Sequence, residues 1–381
     1  MIYMNHRERI LKAINLQQPD MVPIDLGGAR DSSIVVEGYE KLKKHFNVST
    51  ESVYSDRMMR VVRVDEKILD ALDIDVRGIF PGSPKKNKVE NYCPSKYTDM
   101  WGIERIHPEN SFYYDQTNFP LSGNISKTDI LNYKWPDPRA PELFEEIKER
   151  LQWIRANTDC AAVLSVPAPF VHTSQYLRGF EDWYCDFITS PDLLETLFDA
   201  VLEVNLEMAK TMLNIAGKDV DIVICGDDLG AQLALQIPPE TFRKYIKPRL
   251  KKYFQQIHSL SPAKFMFHCC GAIFGILDDL IEIGVDILNP IQTSAAGMDP
   301  VALKKKFGKK LTFWGAMDTQ KVLPEGSIAD VKKMVEERIE QLGEGGGFVL
   351  TSCHNIQPDV PVENILAMFD HARQYVPSYM K

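Results

Sequence analysis

The feature that most constrains the fold is a regular alternation of short apolar segments with longer amphipathic ones, which dominates the chain from residue 141 onward. The short segments are rich in Val, Ile, Leu and Phe along most of their length, as parallel strands buried on both faces must be. The longer segments repeat apolar residues every three to four positions, which predicts helices. Strands are predicted at 161–166, 221–225, 263–268, 285–289, 311–315 and 347–352.

The rest of the chain supplies two more strand patterns, 22–26 and 76–80, and helical patterns at its start and at 33–46, 50–72, 141–156, 173–187 and 191–216. Asn5, with Glu8 three residues later, predicts the cap of the opening helix. Ser190 before Pro191, with Gly217 at the far end, predicts the limits of the longest helix. The segment 83–126 differs, because it mixes turn residues, aromatics and short apolar–polar alternations, and we interpret it as a β-hairpin insertion.

About eight strands that alternate with helices, without an internal linker rich in Gly, Ser or Pro, predict one (β/α)8 barrel domain over residues 1–381. The opening helix would be an N-terminal extension of this barrel. A doubly wound open sheet is the alternative. Against it, no strand is followed by Gly-x-Gly-x-x-Gly, and no phosphate-binding Gly-x-x-x-x-Gly-Lys-Ser/Thr occurs.

Charge and composition narrow the classes of partner. The chain has 44 Lys plus Arg against 53 Asp plus Glu, a net charge of −9, so it has no basic surface signal for nucleic acid or an anionic membrane. No apolar run approaches the ~18–20 residues of a membrane span, and the start lacks a secretory leader, so we expect a cytoplasmic protein. Seven scattered cysteines make a disulfide framework improbable, and a cysteine with a role is expected to be a metal ligand or a nucleophile.

In a barrel, reactive residues lie where the strands end at their carboxyl side. Four predicted strand ends are unusually polar, namely 226–228, 268–271, 318–320 and 352–355. His268 and Cys270 are two residues apart at one of them, so their side chains should point to the same side, away from Cys269. Cys353 follows the last strand and should face the same rim. One His nitrogen and two thiolates suit Zn²⁺ with a fourth position open; the alternative is that these cysteines, like Cys225 and Cys269, are small buried residues.

Other polar residues at the strand ends are candidates for catalysis or substrate binding. Asp227 and Asp228 follow an apolar strand and are candidates for an acid, a base or a group that orients a ligand; a helix cap is the alternative. His354 could also be a ligand, but adjacent residues on a strand point apart, so we do not expect Cys353 and His354 to share one ion. The candidates for substrate contact are Arg30, Arg77, His172 and Asn355, although a structural salt bridge is an equal alternative for both arginines.

Together these residues resemble the uroporphyrinogen decarboxylase superfamily, and within it the zinc-dependent corrinoid methyltransferase branch. The resemblance covers nearly the whole chain and rests on the segments 6–9, 23–25, 226–230, 245–249, 267–271, 284–290, 313–318, 345–348 and 353–355. It implies a (β/α)8 barrel with zinc bound by His268, Cys270 and Cys353, and a carboxylate near the metal at Asp227 or Asp228. The implied reaction moves a methyl group between a corrinoid and a small-molecule thiol or methylated substrate. Because no Asp-x-His-x-x-Gly corrinoid signature is present, we expect the corrinoid on a separate protein.

Two alternatives stay open. One is a decarboxylase acting on a porphyrinogen or a related polycarboxylate, but the arginine-rich segment of that enzyme is replaced here by residues 25–31, where only Arg30 remains. The decarboxylase also has an aspartate on its second strand, and in this sequence Arg77 lies near the corresponding position. The other alternative is a non-catalytic barrel in which the metal stabilises the fold. The sequence does not identify the methyl donor or acceptor, the direction of transfer, the fourth zinc ligand, the oligomeric state or the role of 83–126.

Overall fold

Seven parallel strands pair in one curved sheet in the computed structural model, which describes residues 3–82, 88–89, 92 and 95–381. Their order in the sheet follows their order in the chain. They are Val76–Ile79, Ala161–Ser165, Ile222–Gly226, Lys264–His268, Ile287–Ile291, Thr312–Met317 and Phe348–Ser352. Each lies within two residues of its predicted limits, and all seven are almost completely buried, as the apolar pattern requires.

The eighth position of the barrel is taken by residues 23–25, which join the two edges of this sheet. Ile24 forms a parallel bridge with Leu350 of the last strand, and Asp25 N donates to Leu350 O at 3.1 Å. On the other side, Asp75 N donates to Ile24 O at 3.2 Å, just before the first strand. The chain is therefore a (β/α)8 barrel, as its strand–helix alternation predicts.

The helices pack outside the strands or extend the barrel. They are His6–Ile14, Val36–His45, Glu66–Ala71, Lys127–Leu131, Ile147–Asn157, Val171–Arg178, Phe180–Thr189, Pro191–Ala216, Pro239–Thr241, Lys247–Leu260, Leu277–Glu282, Pro300–Phe307, Val322–Glu325, Ile328–Leu342 and Val362–Gln374. The first has the predicted capping box of Asn5 and Glu8, and the longest has the predicted limits, with Gly217 at φ +66°. No helix of the described residues is long and apolar enough to cross a membrane.

The helix predicted at 50–72 is wrong over most of its length. Residues 54–56 and 61–62 are instead strands of a small antiparallel sheet with Ile34–Val35, and only Glu66–Ala71 is helical. Arg60 has a φ of +58° in the turn between these strands. Pairing with residues brought from elsewhere in the chain therefore overrides the local helical periodicity, as tertiary context commonly does.

The 83–126 insertion is antiparallel, as predicted, with one strand more than a hairpin. Its strands Lys96–Thr98, Glu104–Ile106 and Asp115–Gln116 form a three-stranded sheet. The parts of the predicted hairpin at 83–87, 90–91 and 93–94 lie outside the described residues.

Strand register sets the position of the polar rim. Gly226, His268 and Asn289 lie side by side on three neighbouring strands, where Gly226 and His268 are the last residues and Asn289 is the middle residue. A Cβ atom at Gly226 would lie 2.7 Å from the Cβ of His268, so only glycine leaves room for this histidine. The barrel thus brings residues more than 60 positions apart to one buried edge.

Candidate metal centre

His268, Cys270 and His354 meet at the carboxyl ends of the barrel strands. One possible ligand atom of each lies within 4.8 Å of the others, and His268 Nε2 is 3.5 Å from Cys270 Sγ. His268 is buried, whereas Cys270 and His354 are half-buried. The structure thus places the predicted pair, His268 and Cys270, side by side and adds a second imidazole to it.

A hydrogen bond fixes the orientation of the His268 ring. Nδ1 lies 2.6 Å from Asn289 Oδ1, and the Asn289 amide nitrogen is turned to Trp314 O at 3.4 Å. Because an amide oxygen only accepts hydrogen bonds, Nδ1 of His268 is the donor. Nε2 faces Cys270 and, in the neutral ring, carries the lone pair that a metal would use. Metal-binding histidines commonly have this arrangement, in which the second nitrogen is held by the protein.

His354 has a comparable partner, Tyr113 of the insertion. Tyr113 Oη is 3.2 Å from His354 Nδ1, donates to Asn355 Oδ1 at 2.8 Å and accepts from Gln357 Nε2 at 2.6 Å. Since the phenolic proton goes to Asn355, His354 Nδ1 is the donor to Tyr113, and Nε2 is free for a ligand. Burial, together with the neighbouring His268, lowers the pKa of His354, so this imidazole is neutral at pH 7.

Cys353 lies beside this group but is oriented differently. Its Sγ donates to Ile291 O at 3.0 Å, and burial raises the pKa of its thiol to about 12. Cys353, Cys270, His354 and Tyr113 all line one cavity of about 290 Å³. The last strand ends at Ser352, so strict alternation of side chains does not extend to residues 353 and 354. His354 therefore reaches the same edge as His268, whereas the Cys353 thiol turns to Ile291 O.

The two aspartates predicted as catalytic have different surroundings. Asp227 Oδ2 accepts from the backbone N–H groups of Phe170 and Val171, and Oδ1 accepts from that of His172, all at 2.9 Å. Asp227 is thus the cap of the helix Val171–Arg178. This helix precedes the strand that carries Asp227, whereas the alternative raised from the sequence was a cap of the helix that follows it.

Asp228 faces the metal-binding group. Its Oδ1 accepts from Cys270 N at 2.7 Å and lies 3.9 Å from His268 Nε2, while Oδ2 lies 3.6 Å from His172 Nε2. Although burial opposes ionisation, His172 and His268 lower the pKa of Asp228 well below its ordinary value. Burial likewise opposes the charge of His172, but Asp228 and Asp227 raise its pKa above the usual value. An ionised carboxylate and a basic imidazole therefore adjoin the site.

Three of the predicted substrate contacts, Arg30, Arg77 and Asn355, do not line the cavity beside Cys270, and both arginines form the structural salt bridges that were the alternative. Arg30 is near the site but is held by Asp31 and Asp56, at 3.7 and 3.4 Å. Arg77 does not reach the barrel mouth. As part of the strand Val76–Ile79, it turns to the preceding helix, where its guanidinium pairs with the carboxylates of Glu66 and Asp70 at 2.6 and 2.5 Å. Asn355 is completely buried, and its amide holds Tyr113 instead of lining the cavity.

Sequence reasoning missed Tyr113, Asn289 and Asp31, whose Oδ1 lies 3.7 Å from His268 Nε2. Asn289 lies in the segment 284–290, one of those on which the family resemblance rests, and this was the signal that could have identified it. Asp31 follows the first turn, where only Arg30 had been selected. Tyr113 has no local signal, because nothing in the insertion indicates which aromatic residue approaches the barrel.

A second group of possible ligands, His6, Asp159 and Cys160, lies at the opposite, amino-terminal end of the strands. It adjoins a larger cavity of about 410 Å³ that is also lined by Asp70 and Arg77. Here His6 already bridges Asp159 and Asp73 at 2.6 and 2.9 Å. Because active sites of such barrels lie at the carboxyl ends, the cavity size does not identify this end as the active site.

Comparison with known proteins identifies the family. The family model described as "Uroporphyrinogen decarboxylase (URO-D)" matches residues 114–375, more than half of the chain. The chain belongs to the uroporphyrinogen decarboxylase family. The resemblance inferred from the sequence motifs is thereby confirmed at the level of the family.

Individual URO-D relatives are distant. Uroporphyrinogen decarboxylase of Nostoc punctiforme is 22% identical over 326 residues, which cover 79% of this chain and 87% of that protein. The enzyme of the same name from Trichormus variabilis is 26% identical over 157 residues, and there this chain spans only 42% of the relative's length. A solved methyltransferase from Methanosarcina mazei has the same fold, with a TM-score of 0.69 at 18% identity over 97% of this chain and 99% of that one.

Proposed function

We propose that this protein is a zinc-dependent methyltransferase that moves a methyl group between a corrinoid, carried by a separate protein, and a small-molecule thiol or methylated substrate. The observation that supports this proposal most strongly is the set of donors at the barrel mouth. Two imidazoles, each held through Nδ1, present Nε2 beside a cysteine at the edge of a cavity. The M. mazei protein of the same fold is a methyltransferase, which agrees with the proposal.

The residues present fit zinc by their chemistry. Imidazole nitrogen and thiolate sulfur are the donors that Zn²⁺ prefers, and three protein ligands leave one position for a substrate. His268 and Cys270 would be two of the ligands. The third would be His354, which has the closer placement, or Cys353, which needs a change of side-chain rotamer away from Ile291 O.

Zinc in this position would lower the pKa of a bound thiol, so that the thiolate nucleophile forms at neutral pH. Neighbouring residues of the protein hold the proposed ligands in position through hydrogen bonds. Asn289 and Tyr113 fix the two rings, and Asp228 fixes the backbone of Cys270. His172, half-exposed and with a raised pKa, is placed to hold the proton that leaves the site and to pass it to solvent.

The test is methyl transfer from methylcobalamin to a thiol, followed by the loss of the cobalt–carbon absorbance and by mass spectrometry of the thioether. We expect turnover by the zinc-loaded wild type and a loss of at least about 100-fold in His268→Ala, since the variant lacks one ligand. The matched control is His258→Ala, which removes an exposed histidine that contacts Gly284 O and the Phe265 ring, away from the metal-binding group. Equal turnover by wild type and His268→Ala would refute the proposal.

The decarboxylase alternative draws on the names of the sequence relatives. Release of CO₂ from uroporphyrinogen without metal would support it. Zinc whose removal unfolds the protein, with no turnover in either assay, would instead favour the non-catalytic barrel.

A further inference from the structure

The charge on the walls of the cavity beside Cys270 does not suit an anionic substrate. Gln292, Ser294, Thr319 and Gln320 supply neutral amide or hydroxyl groups, and Asp318 supplies a carboxylate. Within the part of the chain that the structure describes, neither Lys nor Arg lines this cavity. A sulfonate, phosphate or carboxylate on a small substrate would therefore find no lysine or arginine side chain in these described walls to pair with.

The cations nearby do not alter this balance. Arg30 does not line the cavity and is paired with Asp31 and Asp56. Arg338 belongs to the outer helix Ile328–Leu342 and does not line the cavity. Its Nη1 donates a hydrogen bond to Gln341.

The carboxylate of Asp318 is held in place but is not neutralised by an ion pair among the described residues. Its Oδ1 accepts from Gln320 N at 2.9 Å and its Oδ2 from Val322 N at 3.3 Å. Asp31 and Asp228 add two further carboxylates within 4 Å of His268 Nε2. Zinc held by His268 and Cys270 would offset these two, so the carboxylate that acts on a bound substrate is that of Asp318, which attracts a cation and repels an anion.

We propose that the small molecule that enters this cavity, as methyl acceptor or donor, is neutral or cationic and carries no carboxylate, sulfonate or phosphate. This inference rests on the proposed function, since it concerns the substrate of the same site. For a thiol acceptor, the S–C bond forms as the Co–C bond breaks, the bonding electron pair reduces Co(III) to Co(I), and the thiol proton goes to solvent.

The first experiment compares thiols of similar size in the methylcobalamin assay. Cysteamine and 2-mercaptoethanol represent the cationic and neutral classes, and 2-mercaptoethanesulfonate and 3-mercaptopropionate represent the anionic class. We expect kcat/KM for the first two to exceed that for the anionic thiols by about 10- to 100-fold, the factor expected for one partly desolvated like-charge contact. Preference for either anionic thiol would overturn the inference.

A binding experiment separates this inference from the proposed function. The non-reacting thioethers 2-(methylthio)ethylamine and 2-(methylthio)ethanesulfonate are titrated into zinc-loaded and metal-free protein by calorimetry. We expect the amine to bind at least about tenfold more tightly in both forms. If no thiol is methylated but the amine still binds selectively, the methyltransferase proposal fails and the charge preference stands. Equal or tighter binding of the sulfonate, or no binding of the amine, overturns the charge preference.

Variants at the rim test whether the lining residues set this preference. Gln320 is exposed, so Gln320→Lys adds a cation with little effect on packing. It should shift the amine-to-sulfonate affinity ratio toward the sulfonate by about tenfold. Gln320→Met, of similar length and without charge, should leave the ratio unchanged, and Asp318→Asn should reduce it. An unchanged ratio in both Gln320→Lys and Asp318→Asn would show that another part of the protein selects the substrate.

Discussion

Replacing Asn289 by alanine tests how the orientation of the His268 ring affects zinc binding, because it removes the partner of the ring and leaves the ligand itself in place. Asn289 accepts from His268 Nδ1 at 2.6 Å, and both side chains are buried, so water does not replace the lost partner readily. Loss of such an outer partner typically costs 10- to 100-fold in metal affinity, or about 1.4 to 2.7 kcal/mol. We expect a fall of that size in zinc affinity, measured by competition with a chromophoric chelator.

The matched control for Asn289→Ala is Asn364→Ala. Asn364 is also buried, and its amide donates to Leu323 O and Gly326 O at 2.9 and 2.8 Å, away from the metal-binding group. Both variants should lose about 1–3 kcal/mol in the free energy of unfolding, because buried carbonyl groups lose partners. Only Asn289→Ala should bind zinc more weakly. The reasoning is refuted if its zinc affinity stays within about threefold of wild type, or if both variants weaken zinc equally.

Three further predictions concern stability and the second histidine. Asp227→Ala should lower the free energy of unfolding by about 3–5 kcal/mol in urea titrations, because three backbone N–H groups lose a charged acceptor. Asp227→Asn should lower it by about half as much. A loss below about 1 kcal/mol in Asp227→Ala would contradict the capping role. The hydrogen bond to Asp73 raises the pKa of His6 despite burial. Protonated His6 therefore stabilises the fold fully below about pH 6.5, and this stabilisation is lost as pH rises through the folded-state pKa. His6→Gln should flatten the pH dependence of the urea midpoint in that interval. Tyr113→Phe removes the partner of His354 Nδ1 and should weaken zinc as much as Asn289→Ala if His354 is a ligand, but hardly at all if it is not.

The sequence predicts the barrel well because its strands are specified locally. Buried parallel strands are continuous apolar runs, and the runs at 222–226 and 264–268 have few other interpretations. The segment 50–72 was misjudged because its strands are short and obtain their stability from pairing with Ile34–Val35, which no local pattern reveals.

The metal-binding group is only partly predictable from sequence. His268 and Cys270 belong to a regular strand and the turn that ends it, so their relative direction follows from their spacing. Cys353 and His354 follow the end of a strand, where the backbone direction depends on the loop. For Arg77 the sequence left substrate contact and a structural salt bridge open, and the structure shows the salt bridge. Glu66 and Asp70, four residues apart on one helix, form the acceptor pair that holds it, and this spacing was present in the sequence.

The most direct test of the central claim is the zinc content of the purified protein, measured by inductively coupled plasma mass spectrometry without exposure to chelator. We predict about one zinc per chain in the wild type and its loss in His268→Ala and Cys270→Ser, with both variants folded by circular dichroism. Parallel measurements on Cys353→Ser and His354→Ala identify the third ligand as the residue whose loss releases the metal. Wild-type protein without zinc, or full zinc content in His268→Ala, would contradict a zinc centre at the mouth of this barrel.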